Sequence, residues 1–88
     1  GGPARELQLP LAEVLFDFAA RGANELSVRR GERVLVLHQP AGDWWAVTGA
    51  DGGDGRRDAH TGYVPAAYVR LLGSTQRALV ADSARSLL

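Results

Sequence analysis

Trp44 and Trp45 stand side by side in "AGDWWAV", and a chain of 88 residues contains no other tryptophan. On a strand, neighbouring side chains point to opposite faces, so one indole joins a buried face while the other is aimed outward. A large ring held toward water is recognition chemistry, because it offers rigid apolar area together with one N–H donor. Other residues raise other chemistry. Asp51, Asp54, Asp58 and His60 crowd the stretch "DGGDGRRDAH", but it lacks the ligand order of an EF-hand and its closing glutamate, so no metal is expected there. His38 and His60 have no spacing to Ser74 or Ser83 that would set up a base with its orienting acid, so no catalytic residue and no enzyme activity are expected. Arg29, Arg30, Arg33, Arg56 and Arg57 are raw material for a nucleic-acid surface, yet Glu32, Asp54 and Asp58 lie among them and argue against it.

Composition narrows the field further. Ten basic and ten acidic residues cancel to zero formal charge, which removes the broad attraction that drives binding to nucleic acid or anionic membrane. Cysteine is absent, and with it disulfides, thiolate metal sites and thiol nucleophiles. No run of about 18 apolar residues and no basic-then-apolar leader is present, which leads to the expectation of an intracellular, cytoplasmic chain with no membrane insertion. At this length one small domain with flanking segments is expected, built on a modest core.

The elements that must position these residues are short. "VLFDF" (14–18) alternates as a strand with Val14, Phe16 and Phe18 on one face; "AARGANE" is loop; "RVLVLH" (33–38) is a β-branched and leucine run of strand length. Pro40-Ala41-Gly42-Asp43 turns the chain into "WWAVTG", and "TGYVPAAYVRLL" supplies another strand, a proline stop and a last apolar run. About four or five short strands with turns between them predict a small all-β barrel or sandwich, with Ala20, Leu26, Val28, Val34, Val36, Ala46 and Val64 in its core. Leu7, Leu9 and Leu11 alternate before it, but Pro10 has no ladder donor and demotes that stretch to an edge strand or extended arm. After Gly73, Ser74 is placed to cap a helix of about three turns carrying Leu79, Val80, Ala84, Leu87 and Leu88, too short to stand alone in water. Both ends being apolar, Leu7, Leu9 and Leu11 are expected to pack with Leu79, Val80, Leu87 and Leu88, the rival being that the ends fray.

Taken in order, "VLFDF", "NELSVRRGERVLVL", "GDWW" and "GYVPAAYV" resemble the Src homology 3 domain, with its "ALYDY" strand, "DELSF" segment, "WW" pair and "G-[YF]-[VI]-P-x-N-Y-V" stretch. The resemblance covers about residues 13 to 72, leaving 1–12 and 73–88 as N- and C-terminal extensions. It implies a five-stranded antiparallel barrel with a short 3₁₀ turn, and a non-enzymatic module of an adaptor, scaffold or signalling protein that binds proline-rich segments. Polyproline II is already extended, so it docks between aromatic rings at little entropic cost. Carried over by position, the resemblance implies a peptide-binding strip of Phe16, Phe18, Trp44, Tyr63, Pro65 and Tyr68, with Glu25 as the acidic residue that takes a ligand arginine or lysine and Asp43 assisting it. No cofactor is implied. From periodicity alone Phe16, Phe18 and Tyr63 fit a barrel core equally well, and Glu25 fits a solvated loop charge.

The chain departs from the family pattern in ways that predict weak binding. Phe16 and Phe18 replace tyrosines and lose their hydroxyls, and Ala67 replaces an asparagine donor. Each lost hydrogen bond is worth about 0.5 to 1.5 kcal/mol. Arg21 and Asn24 stand where relatives cluster acids, and "TGADGGDGRRDAHT" is longer than the usual tight turn, a length that loop closure penalises only slowly. An affinity of tens of micromolar or poorer, about 6 kcal/mol, follows. The alternatives are a structural or regulatory barrel whose groove is filled by its own extensions or a neighbouring domain, and, less favoured, a nucleic-acid-binding barrel.

Overall fold

The computed structural model describes residues 4–50 and 61–81. Five strands, β1 (Ala4–Val14), β2 (Arg33–His38), β3 (Trp44–Gly49), β4 (Thr61–Pro65) and β5 (Val69–Ala81), form one antiparallel sheet in the order β4-β3-β2-β1-β5. A 3₁₀ turn at Ala66–Tyr68 joins β4 to β5, so the all-β, five-stranded expectation holds. The first strand begins and ends earlier than "VLFDF" suggests. It stops at Val14, and Phe16 and Phe18 lie beyond it in the loop that leads to β2.

The two ends of the chain build the long pair β1–β5, with register from Ala4↔Ala81 to Val14↔Val69. This corrects the helix expected from Ser74: residues 74–81 belong to β5, while 82–88 lie outside the described residues. A short helix has no partner for its backbone beyond itself, whereas β1 offers a full ladder. Pro10, which cannot donate to a ladder, sits where the register slips between Pro10 and Ala12. Opposite the slip, the chain of β5 passes through Gly73 at φ +84, a left-handed conformation that suits glycine at a bulge.

Because this pair extends past the rest of the sheet, the chain buries two apolar clusters. One gathers Ala12, Val14, Val28, Val34, Val36, Val47, Val64 and Val69, with Phe18, Leu26 and Trp45 packed against it. The other gathers Leu9, Leu11, Leu35, Ala50, Ala78 and Val80, flanked by Leu7, Leu37 and Leu72. Alternate residues of "RVLVLH" therefore serve different clusters, Val34 and Val36 the first, Leu35 and Leu37 the second. Leu9, Leu11 and Val80 do pack together, but Leu79 is 58% exposed and takes no part, and Ala20, expected in the core, is exposed on the first loop. Leu26 is half-buried at the edge of the first cluster. The Gln76 side-chain amide donates to the Ala50 carbonyl at 3.1 Å and ties β5 to the end of β3. Thr48, the buried polar residue among the described ones, is met by the Thr61 hydroxyl at 3.0 Å.

Candidate functional site

Past Val14 the backbone leaves the sheet but stays anchored. Leu15 N–H donates to the Tyr68 carbonyl at 2.7 Å and Gly31 N–H to the Val14 carbonyl at 2.8 Å. The first of these bonds sets Phe16 beside Tyr68, with ring centroids 5.4 Å apart and planes at 67°. Phe18 exchanges both backbone bonds with Val28 at 2.9 Å, which closes the loop into a narrow hairpin and fixes where its ring falls. That ring lies 6.0 Å from Tyr68 and 5.8 Å from Trp44, edge-to-face in both cases. Such pairs are worth about 0.5 to 1.5 kcal/mol beyond their buried area.

The tip of the hairpin is held against β4 by backbone hydrogen bonds. Tyr63 N–H donates to the Asn24 carbonyl at 2.7 Å and Leu26 N–H to the Tyr63 carbonyl at 3.0 Å, placing Glu25 alongside Tyr63. Gly62 makes this approach feasible: a Cβ there would stand 3.0 Å from Asn24 O, Glu25 C and Leu26 N, all backbone atoms. Within the loop the Ser27 hydroxyl accepts from Ala20 N–H at 2.9 Å, and Glu25 Oε1 accepts from Arg21 N–H at 2.8 Å. Asp17 Oδ1 accepts from Arg30 N–H at 2.8 Å and steadies the hairpin's base. Beside Phe18 an open cleft of about 510 Å³ is lined by residues that include Asp17, Ser27 and Glu32.

The other side of the site comes from β3 and β4. Trp44 pairs with Pro65 and Ala46 with Tyr63, so Trp44, Pro65 and Tyr63 share one face by register. Trp45 goes to the opposite face and packs on the first cluster. The Asp43 carbonyl accepts from Ala66 N–H at 2.7 Å, which joins the loop before Trp44 to the 3₁₀ turn carrying Tyr68. Phe16, 56% exposed, is the most open ring of the row, while Phe18, Trp44, Tyr63, Pro65 and Tyr68 are half-buried.

The result is a run of touching rings, Phe16 to Tyr68 to Phe18 to Trp44, ending at Pro65. Glu25 lies beside Tyr63 at one margin, and exposed Asp43 precedes Trp44. Sequence reasoning missed Gly62 as the close-approach residue and Arg21 as the partner of Glu25; for Gly62 the only signal was a glycine opening a strand. The stretches 4–12 and 73–81 pair with each other and not with these rings. Asp51, Asp54, Asp58, His60, Arg56 and Arg57 lie outside the described residues. Among the described residues no group of histidine and carboxylate side chains is placed to hold a metal, and no helix is long and apolar enough to cross a membrane.

A family model described as "Variant SH3 domain" matches residues 14–70. The chain is 38% identical over 72 residues to "Myosin ID heavy chain" of Dictyostelium discoideum, a match that takes in 82% of this chain and 6% of that protein. The chain thus spans a small fraction of its relative's length. Among solved structures it is similar to the C-terminal SH3 domain of myosin IB from Entamoeba histolytica, bound to the EhFP10(GEF) peptide, with a TM-score of 0.59 and 25% identity over 73% of this chain and 93% of that one. The chain belongs to the SH3 family and is a non-catalytic protein-interaction module.

Proposed function

We propose that this SH3 domain docks proline-rich segments in the polyproline II conformation along the row Phe16, Phe18, Trp44, Tyr63, Pro65 and Tyr68, as part of a larger cytoplasmic adaptor, scaffold or signalling protein. The observation that carries this reading is the unbroken ring contact from Phe16 through Tyr68 and Phe18 to Trp44, with centroids 5.4 to 6.0 Å apart. Rings set edge-to-face present a ridged apolar surface of the kind polyproline II docks on, and the half-burial of Phe18, Trp44 and Tyr68 restricts their rotamers before a ligand arrives. The peptide held by the myosin IB domain of similar fold supports a peptide as the ligand class. With Phe16 and Phe18 lacking hydroxyls, binding rests on apolar contact and on fewer polar groups, the Trp44 indole N–H and the Tyr68 hydroxyl among them. That predicts an affinity of tens of micromolar, with specificity supplied by tethering and multivalency.

The test is an NMR titration with a proline-rich peptide, in wild type and in Trp44→Ala. The amides of Phe16, Phe18 and Tyr68 and the Trp44 indole N–H are expected to shift together, and the variant is expected to bind at least tenfold more weakly. Shifts clustered elsewhere, or unchanged binding by Trp44→Ala, would overturn the assignment. Salt gives an independent check, since peptide docking here depends on it mildly and nucleic-acid binding steeply.

A further inference from the structure

Glu25, the acidic side chain at the margin of the ring row, is already engaged from within the chain. Its Oε1 accepts the Arg21 backbone N–H at 2.8 Å and lies 3.8 Å from Arg21 Nε. The same guanidinium stands 5.9 Å from the centroid of Phe18, a ring of the row itself. A cation beside a carboxylate and over an aromatic face is the set of contacts that an arginine of a docked segment would need at this corner. The Glu25 side chain is only 22% exposed, so room for a second cation on it is limited. The other carboxylates nearby do not replace it: Asp17 is committed to Arg30 N–H and Glu32 to Arg29 N–H, while Asp43 is exposed to water, where an ion pair gains little.

We infer that Arg21 is a specificity-determining residue: it satisfies Glu25 from inside the chain, and the groove therefore takes proline-rich segments without favouring arginine or lysine over a neutral residue at the acidic corner. This rests on the docking reading proposed above and goes further by naming the class of segment. The pair is mostly solvated on the Arg21 side, with 73% of that side chain exposed, so it biases selection without forbidding a basic residue.

The experiment compares two synthetic peptides, identical proline-rich segments that differ by arginine or glutamine at the corner position, against wild type, Arg21→Gln and Arg21→Gln/Glu25→Gln. Wild type is expected to bind the two peptides within about twofold. Arg21→Gln, with an unchanged melting curve, is expected to bind the arginine peptide about three- to fivefold more tightly and the glutamine peptide as before, the size of one exposed ion pair. That gain should shrink at 0.5 M salt and vanish in the double variant. A wild type that already prefers the arginine peptide more than about twofold, or an Arg21→Gln that shifts both peptides equally or neither, would overturn the inference and leave the groove standing. Failure of both peptides to bind any folded variant would overturn the groove and the inference together.

Discussion

Replacing Leu35 with alanine isolates what the paired chain ends contribute. Leu35 is fully buried at 0% exposure and sits in the second cluster with Leu9, Leu11, Ala50, Ala78 and Val80, so its partners come from both ends of the chain and from the end of β3. The change removes three carbon groups at about 0.8 kcal/mol each, close to 2.4 kcal/mol of transfer energy. The cavity left behind adds to this, since leucine-to-alanine changes in cores cost about 2 to 5 kcal/mol. We expect about 3 kcal/mol, a large share of the roughly 4 to 13 kcal/mol that a domain of this size commands. At about 4 to 8 °C per kcal/mol, the melting temperature should fall by at least about 12 °C. Urea unfolding followed by tryptophan fluorescence measures it cleanly, because neither Trp44 nor Trp45 belongs to the cluster around Leu35. Leu79→Ala is the control: 58% exposed and next to buried Val80, it should change stability by less than about 0.5 kcal/mol. A loss below about 1 kcal/mol for Leu35→Ala, at an unchanged denaturant slope, would show that the β1–β5 pair does not cover this face in solution.

Other perturbations separate the parts of the molecule. Deleting residues 74–88 strips Ala78 and Val80 from the second cluster, removes the Gln76 bond to the Ala50 carbonyl, and should lower the melting temperature by more than about 10 °C in a thermal scan. Gly62→Ala places a Cβ 3.0 Å from three backbone atoms of the first loop; urea titration should show a loss of about 1 to 3 kcal/mol, and peptide binding should weaken with it because the loop carries Phe18 and Glu25. Arg70→Gln breaks a 2.7 Å pair with Glu13 whose side chains are 59% and 35% exposed, and the same titration should register no more than about 1 kcal/mol.

What could be read from the chain divides along physical lines. The aromatic row was legible because ring types and strand parity are local properties: Trp44 and Trp45 must part to opposite faces, and they do. The run "RVLVLH" also carried a message, since a strand with no polar alternation has both faces covered. What covers the second face lies some forty residues away and is chosen by register with β1, which composition does not display. Residues 75–80 in fact alternate outward and inward, with Thr75, Arg77 and Leu79 exposed and Gln76, Ala78 and Val80 turned in. A glutamine and an alanine at inward positions hid that period of two, and Leu79, Val80 and Ala84 imitated a helical stripe. In the site, the docking of the first loop on β4 was hidden for a different reason. It runs through the backbone of Asn24, Leu26 and Tyr63, and main-chain hydrogen bonds leave no mark on side-chain identity except the missing Cβ of Gly62.

The same division explains how a small chain keeps aromatic rings open to water. Phe18 and Trp45 lean on the first cluster, so the ring row draws its rigidity from the valines of β1 to β4, while the β1–β5 pair holds a separate cluster across β2. Damage to the second cluster should therefore lower stability while leaving the remaining folded molecules with unchanged peptide affinity. Damage at Gly62 or Val28 should cost both at once, because these residues hold the loop that carries the rings. Affinity measured on the folded fraction of Leu35→Ala tells the two apart: a value within about twofold of wild type is the outcome this arrangement requires, and a larger loss would mean that the two clusters act as one.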